Sequence, residues 1–300
     1  MNSSYERTRG VRLLLAALAA LATVVLAGCG GDDPTLSSEQ APRTDSSAQA
    51  QTEDGLEHIH GLGVSEGTLF IATHTGLWTA PEGQTKAQRF GTSRQDIMGF
   101  SVIDDDHFVG SGHPDPSQDQ PPLLGLIDSR NGGRSWENIS LLGEADFHVL
   151  ETSRQRVYGF DGTQGRVMVS PDAGRSWQQR TPPAGVFALA IDPTDPDRVI
   201  ASTEQGLFVS PDAAKQWRPL GAQLAGLLAW PSAKQLYLLD GQGQVRLSAD
   251  AGKSWQIVGN IDGEPAAFIA DGNDLYAALS DGSVKRSTDS GRSWTVRATP

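Results

Sequence analysis

The sequence predicts an all-β fold, a six-bladed β-propeller of four-stranded blades. Three observations predict it. A tryptophan recurs at Trp136, Trp177, Trp217, Trp255 and Trp294, a step of about 40 residues typical of one propeller blade. Each closes a similar octet: SRNGGRSW (129–136), SPDAGRSW (170–177), SADAGKSW (248–255), STDSGRSW (287–294) and a degenerate SPDAAKQW (210–217). Short apolar runs, four to a repeat and separated by turn residues, fill the intervals. Composition agrees, since 34 glycines against 7% aromatics suit a turn-rich β protein.

The blades start near residues 56, 94, 143, 183, 223 and 261. In the fourth, VFALAID (186–192), RVIAST (198–203), GLFVS (206–210) and QWRPL (216–220) read as successive strands. IMGFSVI (97–103), HFVGSG (107–112), LLGLIDS (123–129) and SWENIS (135–140) make the second blade. The first has HIHGLGV (58–64), TLFIAT (68–73), GLWTA (76–80) and a weak fourth strand near 87–90, without an octet. A first strand opens blade one and a last strand ends blade six. The ring is therefore expected to close by packing, without a strand exchanged between its ends.

The octet has a structural logic. Its acid or amide (Asn131, Asp172, Asp250, Asp289) can accept backbone N–H bonds in a tight hairpin. Its glycine (Gly133, Gly174, Gly252, Gly291) can take positive φ, and its tryptophan packs between sheets. The pattern S-x-D-x-G-x-S/T-W resembles the Asp-box, or BNR, repeat of sialidases and sortilin-type propellers. That resemblance places the hairpins on the rim, between the third and fourth strands. Asp172, Trp177, Asp250, Trp255, Asp289 and Trp294 are accordingly read as fold, not chemistry.

Residues 1–28 read as a lipoprotein signal peptide. Arg7, Arg9 and Arg12 precede the apolar run LLLAALAALATVVLA (13–27), which is short for a bilayer span. Leu26-Ala27-Gly28-Cys29 resembles the bacterial lipobox, implying cleavage before Cys29 and its acylation; the alternatives are an ordinary signal peptide or a single anchor helix. Residues 29–55, with almost nothing to bury, read as the lipidated cysteine and a disordered tether, and 56–300 as the propeller. The expected location is the cell membrane or outer membrane, facing periplasm or exterior. Cys29 is the sole cysteine, so disulfides within the chain and cysteine zinc sites are excluded. A net charge of −12 argues against nucleic acid as a partner.

Five of the six histidines converge on one face when the repeats are aligned. His58 and His60 open the first strand of blade one. His60, Met98 and His148 share a register position that holds Phe187, Ala225 and Ala266 in the later blades. His74 and His113 end the second strands of blades one and two. All map to the channel mouth opposite the octets, called the top face. Only His107, in an Asp-rich turn, falls elsewhere. Neutral imidazoles near the Met98 thioether suit copper or zinc, with His60, His74, His113 and His148 as ligands. The alternative is a hydrogen-bonded histidine cluster that stabilises these blades. The insertion HPDPSQDQPPLL (113–124) leaves from the same face, as a lid or a plain surface loop. Glu144, Asp146 and Asp115 are the candidate acid–base carboxyls.

Together HIHGLG, ATHTGL, MGF, GSGHPDP and GEADFH, followed by the octets, resemble a family of bacterial propeller lipoproteins labelled glycosylhydrolase or exo-sialidase. The resemblance spans residues 56–298 and places family motifs on His58, His60, His74, Met98, His113, Asp115, Asp146 and His148. A sialidase also needs an arginine triad and a Tyr–Glu nucleophile pair. Here Tyr158, Tyr237 and Tyr276 recur at one repeat position, and Arg134, Arg175 and Arg292 belong to octets; Arg94 and Arg166, which lie outside them, do not make a triad. The reading is therefore a membrane-anchored propeller that binds a small ligand, a metal ion or a protein at its histidine face; a glycosyl hydrolase acting on glycans there is the alternative.

Overall fold

The computed structural model describes Leu56, residues 58–221 and residues 223–300. The signal segment, Cys29 and the tether lie outside the described residues. Among the described residues, twenty-four strands form six four-stranded antiparallel sheets, each built from consecutive strands, and there is no helix. The protein is a six-bladed β-propeller. Its innermost strands are Ile59–Ser65, Asp96–Asp104, Phe147–Ser153, Val186–Asp192, Leu227–Ser232 and Pro265–Asp271.

Burial explains the strand order within a blade. The second strands, such as Thr68–Thr73 and Asp274–Leu279, are almost continuously buried because a neighbouring blade covers each face. The fourth strands, such as Gln256–Asn260, stand at the rim and are mostly exposed. Six apolar clusters fill the six seams. In the second seam Trp177 packs against Leu126 and Phe147, its ring centroid 5.0 Å from that of Phe147. Trp136, Trp217, Trp255 and Trp294 repeat this in their own seams.

The octet hairpins take the expected shape. Asp172 Oδ1 accepts the Ser176 N–H at 2.8 Å and Oδ2 accepts the Ser176 hydroxyl at 2.7 Å, while the Gly174 N–H donates to Ser170 Oγ at 2.8 Å. These donors hold Asp172 down at about 2. Asp250 and Asp289 do the same. Gly174 has φ +83°, a conformation that penalises any Cβ.

The ring closes by packing and by one further device. The backbone of Thr299 forms a parallel bridge beside Lys86, with Ala87 N–H donating to Thr299 O at 2.9 Å and Thr299 N–H to Thr85 O at 2.7 Å. Arg297, 7% exposed, donates to the carbonyls of Gln84 and Ala80. The last strand thus grips the loop before the fourth strand of blade one, a contact that the repeat pattern does not encode.

Candidate functional site

The top face is built from a recurring irregularity. At the start of five of the six inner strands the pairing slips by one residue, between Ile59 and Gly61, Ile97 and Gly99, Phe147 and Val149, Val186 and Ala188, and Pro265 and Ala267. The bulged residues are His60, Met98, His148, Phe187 and Ala266, the shared register position. A bulge turns its side chain out of the sheet, here toward the channel mouth. Blade five corrects the alignment. Leu227 pairs with Leu239 and Leu228 with Leu238, so the equivalent residue is Gly226, not Ala225. His60, Met98, His148 and Phe187 line a cavity of about 90 Å³ there.

The histidines divide into two groups, each organised by an aspartate. In the first, His74 Nδ1 lies 2.8 Å from Asp96 Oδ2 and 3.3 Å from His60 Nε2, and His60 Nε2 lies 3.8 Å from Asp96 Oδ1. One donor atom each from His60, His74 and Asp96 falls within 4.8 Å of the others. The exposed His58 tilts its ring over His74 with centroids 4.9 Å apart. Burial, followed by the neighbouring His74, pushes His60 down to about 4, so its imidazole is neutral at physiological pH. Asp96 Oδ1 is buried without a hydrogen bond.

In the second group Asp146, 2% exposed, receives His148 Nε2 at 2.8 Å and faces His113 Nε2 at 3.4 Å. The Asp146 hydrogen bond raises His148 above its ordinary range. His113 Nδ1 lies 2.8 Å from the carbonyl of Pro122. A carbonyl only accepts, so that nitrogen carries the proton and Nε2 presents a lone pair unless the ring is charged. The four imidazoles expected to act together therefore fall into a His60–His74 pair and a His113–His148 pair. Met98 lines the cavity between them.

The remaining candidates are placed as follows. Glu144 is exposed. Asp115 serves the insertion: it accepts the backbone N–H groups of Arg94 and Ser117 and the Ser117 hydroxyl, which hold it down at about 2. The insertion is surface chain tied to the site through His113 and Pro122. His107 lies away from the histidine groups, against Asp128 at 2.6 Å. Tyr158, Tyr237 and Tyr276 are buried at 0%, 1% and 3%, which fits repeat filling.

Sequence reasoning missed Asp96. The signal was present: Asp96 stands two residues before Met98, as Asp146 stands two before His148. The structure makes the rule visible, since the histidine ending one blade's second strand meets the aspartate that opens the next blade.

No family model and no curated protein sequence matches the chain. Solved structures do. A GH74 xyloglucanase from Xanthomonas campestris is 16% identical with a TM-score of 0.51, covering 81% of this chain and 45% of its own. A chain of a nidogen/laminin complex is 16% identical with a TM-score of 0.57, covering 73% of this chain and 88% of its own. The WD40 propeller domain of Doa1 is 10% identical with a TM-score of 0.57, covering 83% and 84%. They share the propeller. At such identities the likeness is one of fold, and the chain spans less than half the length of the xyloglucanase.

Proposed function

We propose that the protein is an exported lipoprotein, anchored through Cys29, whose propeller binds a divalent transition-metal ion, zinc or copper, at His60, His74 and Asp96. The observation that carries the metal reading is the convergence of these three donors from two blades. His60 Nε2 lies 3.3 Å from His74 Nδ1 and 3.8 Å from Asp96 Oδ1, close to the edge of a tetrahedron with metal–ligand bonds of about 2.0–2.1 Å, roughly 3.3–3.4 Å. His60 is held neutral, as a ligand must be, and the buried Asp96 Oδ1 has no other partner. Three protein ligands leave a coordination position open toward the mouth for water or a bound molecule.

Elemental analysis of the purified protein, with zinc and copper titrations of the chelator-stripped form, tests the reading. One equivalent is expected in wild type and none in His60→Ala/His74→Ala; equal binding by both would end it. Anchoring rests on the basic segment, the apolar run and the lipobox-like order at Cys29. Cys29→Ser is expected to abolish palmitate labelling and membrane fractionation, and an unchanged distribution would remove this half of the proposal.

A glycoside hydrolase at the same face is the competing reading, and Asp146 is the observation in its favour. Glycoside hydrolysis asks for two carboxyls flanking a cleft. Of the three candidates Asp146 alone sits among the histidines, while Glu144 is exposed and Asp115 holds a turn. Turnover of a glycan panel that disappears in Asp146→Asn would put this reading first.

A further inference from the structure

Beyond the histidine mouth the channel widens to a second cavity of about 420 Å³, lined by Phe100, Trp230 and Phe268 together with Glu151, Asp104 and Asp271. No lysine, arginine or histidine lines it. Glu151 also borders the cavity at the histidine mouth, so it stands where the two spaces meet. Three residues on from the bulge position, the other blades place Gly63, Ser101, Ala190, Ala229 and Ile269, so Glu151 is the one ionisable side chain at this level. The Glu151 side chain has no hydrogen-bond or ion-pair partner among the described residues.

Glu151 is half-buried in the channel wall, and a carboxyl partly withdrawn from water without a partner is compensated in a folded protein by a proton, a hydrogen bond or a cation. Nothing in the wall supplies the cation. Glu151, Asp104 and Asp271 come from three different inner strands around this space, a spread that a two-headed ammonium spans better than a single metal ion, and Phe100, Trp230 and Phe268 offer alkyl contacts between them. We propose that this cavity binds a small organic cation, an alkylamine or alkyl diamine, with one ammonium group on Glu151 and the stem along Phe100, Trp230 and Phe268. A second ammonium would face Asp104 and Asp271 at the outer mouth. The site is distinct from the His60–His74–Asp96 group and does not depend on it.

Burial alone raises Glu151 to about 8. The titratable groups bordering the two spaces around it are His60 and His148 toward the top face and Asp104, Asp105 and Asp271 toward the far mouth. At pH 7 the free carboxyl is largely protonated, and binding an ammonium ion expels that proton to the buffer.

The test is calorimetric titration of the purified full-length protein, stripped of metal and kept in chelator, with 1,5-diaminopentane at pH 7. Two buffers of different ionisation enthalpy are used, with pentan-1-ol as the uncharged stem. Wild type is expected to bind the diamine, not the alcohol, with a buffer-dependent heat that reports proton release. Glu151→Gln should weaken binding by about thirtyfold or more and abolish the buffer dependence. Ala229→Leu, which fills the cavity from blade five, should weaken it while leaving Glu151 in place, and near-ultraviolet circular dichroism checks that each variant is folded. His60→Ala/His74→Ala should bind the diamine like wild type. Absence of binding by wild type, equal affinity in Glu151→Gln, equal affinity for the alcohol, or an equal loss in the histidine variant would each overturn the proposal.

Discussion

Blades one to three and blades four to six follow the same four-stranded plan and differ at a few register positions around the top mouth. At the bulge the first half carries His60, Met98 and His148, and the second half carries Phe187, Gly226 and Ala266. Two residues earlier stand His58, Asp96 and Asp146 against Gly185, Leu224 and Glu264. At the end of the second strand His74 and His113 answer to Glu204 in blade four and Ser280 in blade six. Where blades one to three join neighbours through aspartate and histidine, Glu264 contacts Ser280 of its own blade at 3.3 Å. The seams and hairpins, by contrast, repeat around the ring. The histidines and aspartates are thus gathered at the mouth, while what holds the blades together repeats around the ring.

Substitutions can separate the two layers. The largest effect is expected at the shared scaffold. Trp177→Ala in the first half and Trp255→Ala in the second should each lose about 3–5 kcal/mol in urea denaturation, with no change in metal stoichiometry for the fraction that stays folded. A much smaller loss in one half would show that the seams are not equivalent.

The next largest effect should be confined to the first half. His60→Ala is expected to weaken zinc or copper binding by more than about a hundredfold, beyond the loss usual for a supporting partner. Phe187→Ala, the same register position in blade four, should leave the metal titration unchanged. A loss in both would mean that the bulge shape, not the imidazole, matters.

Acidity gives a finer contrast. Glu151 is raised to about 8, so its contribution to stability is full below the ordinary carboxyl range and is lost as pH rises through about 8. Glu151→Gln should therefore gain melting temperature relative to wild type as pH goes from 5 to 9. Asp172 is depressed to about 2, so its contribution is present above the ordinary aspartate range and fades as pH falls toward 2. Asp172→Asn should be destabilised at pH 7, and the gap should shrink in acid. Thermal scans across pH that show parallel curves for either pair would contradict the assignment.

The smallest effect is expected at the insertion. His113→Ala removes its tie to the Pro122 carbonyl. Limited proteolysis between residues 114 and 122 should accelerate, while global stability changes by no more than about 1 kcal/mol. An unchanged cleavage rate would mean that Asp115 and the backbone bonds alone hold the segment.

The scaffold was legible because its determinants are local. An octet fixes its own hairpin, and four of the strands read from sequence, 68–73, 76–80, 186–192 and 206–210, match the observed ones at both ends. The site was half legible. Register arithmetic brought His60, Met98 and His148 to one level, but it could not show that the imidazoles pair off, because that depends on which ring reaches which carboxylate across a seam. Asp96 was hidden by its neighbourhood: RQDIMGF offers no second carboxyl and no histidine to make the aspartate stand out, whereas GEADFH does. Ala225 was misplaced by one residue because blade five alone begins its inner strand without a bulge, with Gly226 at φ +159°. Glu151 escaped notice because desolvation is a property of the assembled channel, which no single blade displays.

The bridge between Thr299 and the segment 85–87 bears on how the ring is made. A ribosome delivers the chain from one end, and blade one is complete in synthesis more than 200 residues before Arg297 and Thr299 arrive to grip its outer loop. Each middle blade finds its successor within about 40 residues, but the seam between blades six and one must wait for the last residues of the chain. Until then the apolar wall of Leu56, Leu69 and Ile71 lacks the blade-six partners that cover it in the closed ring.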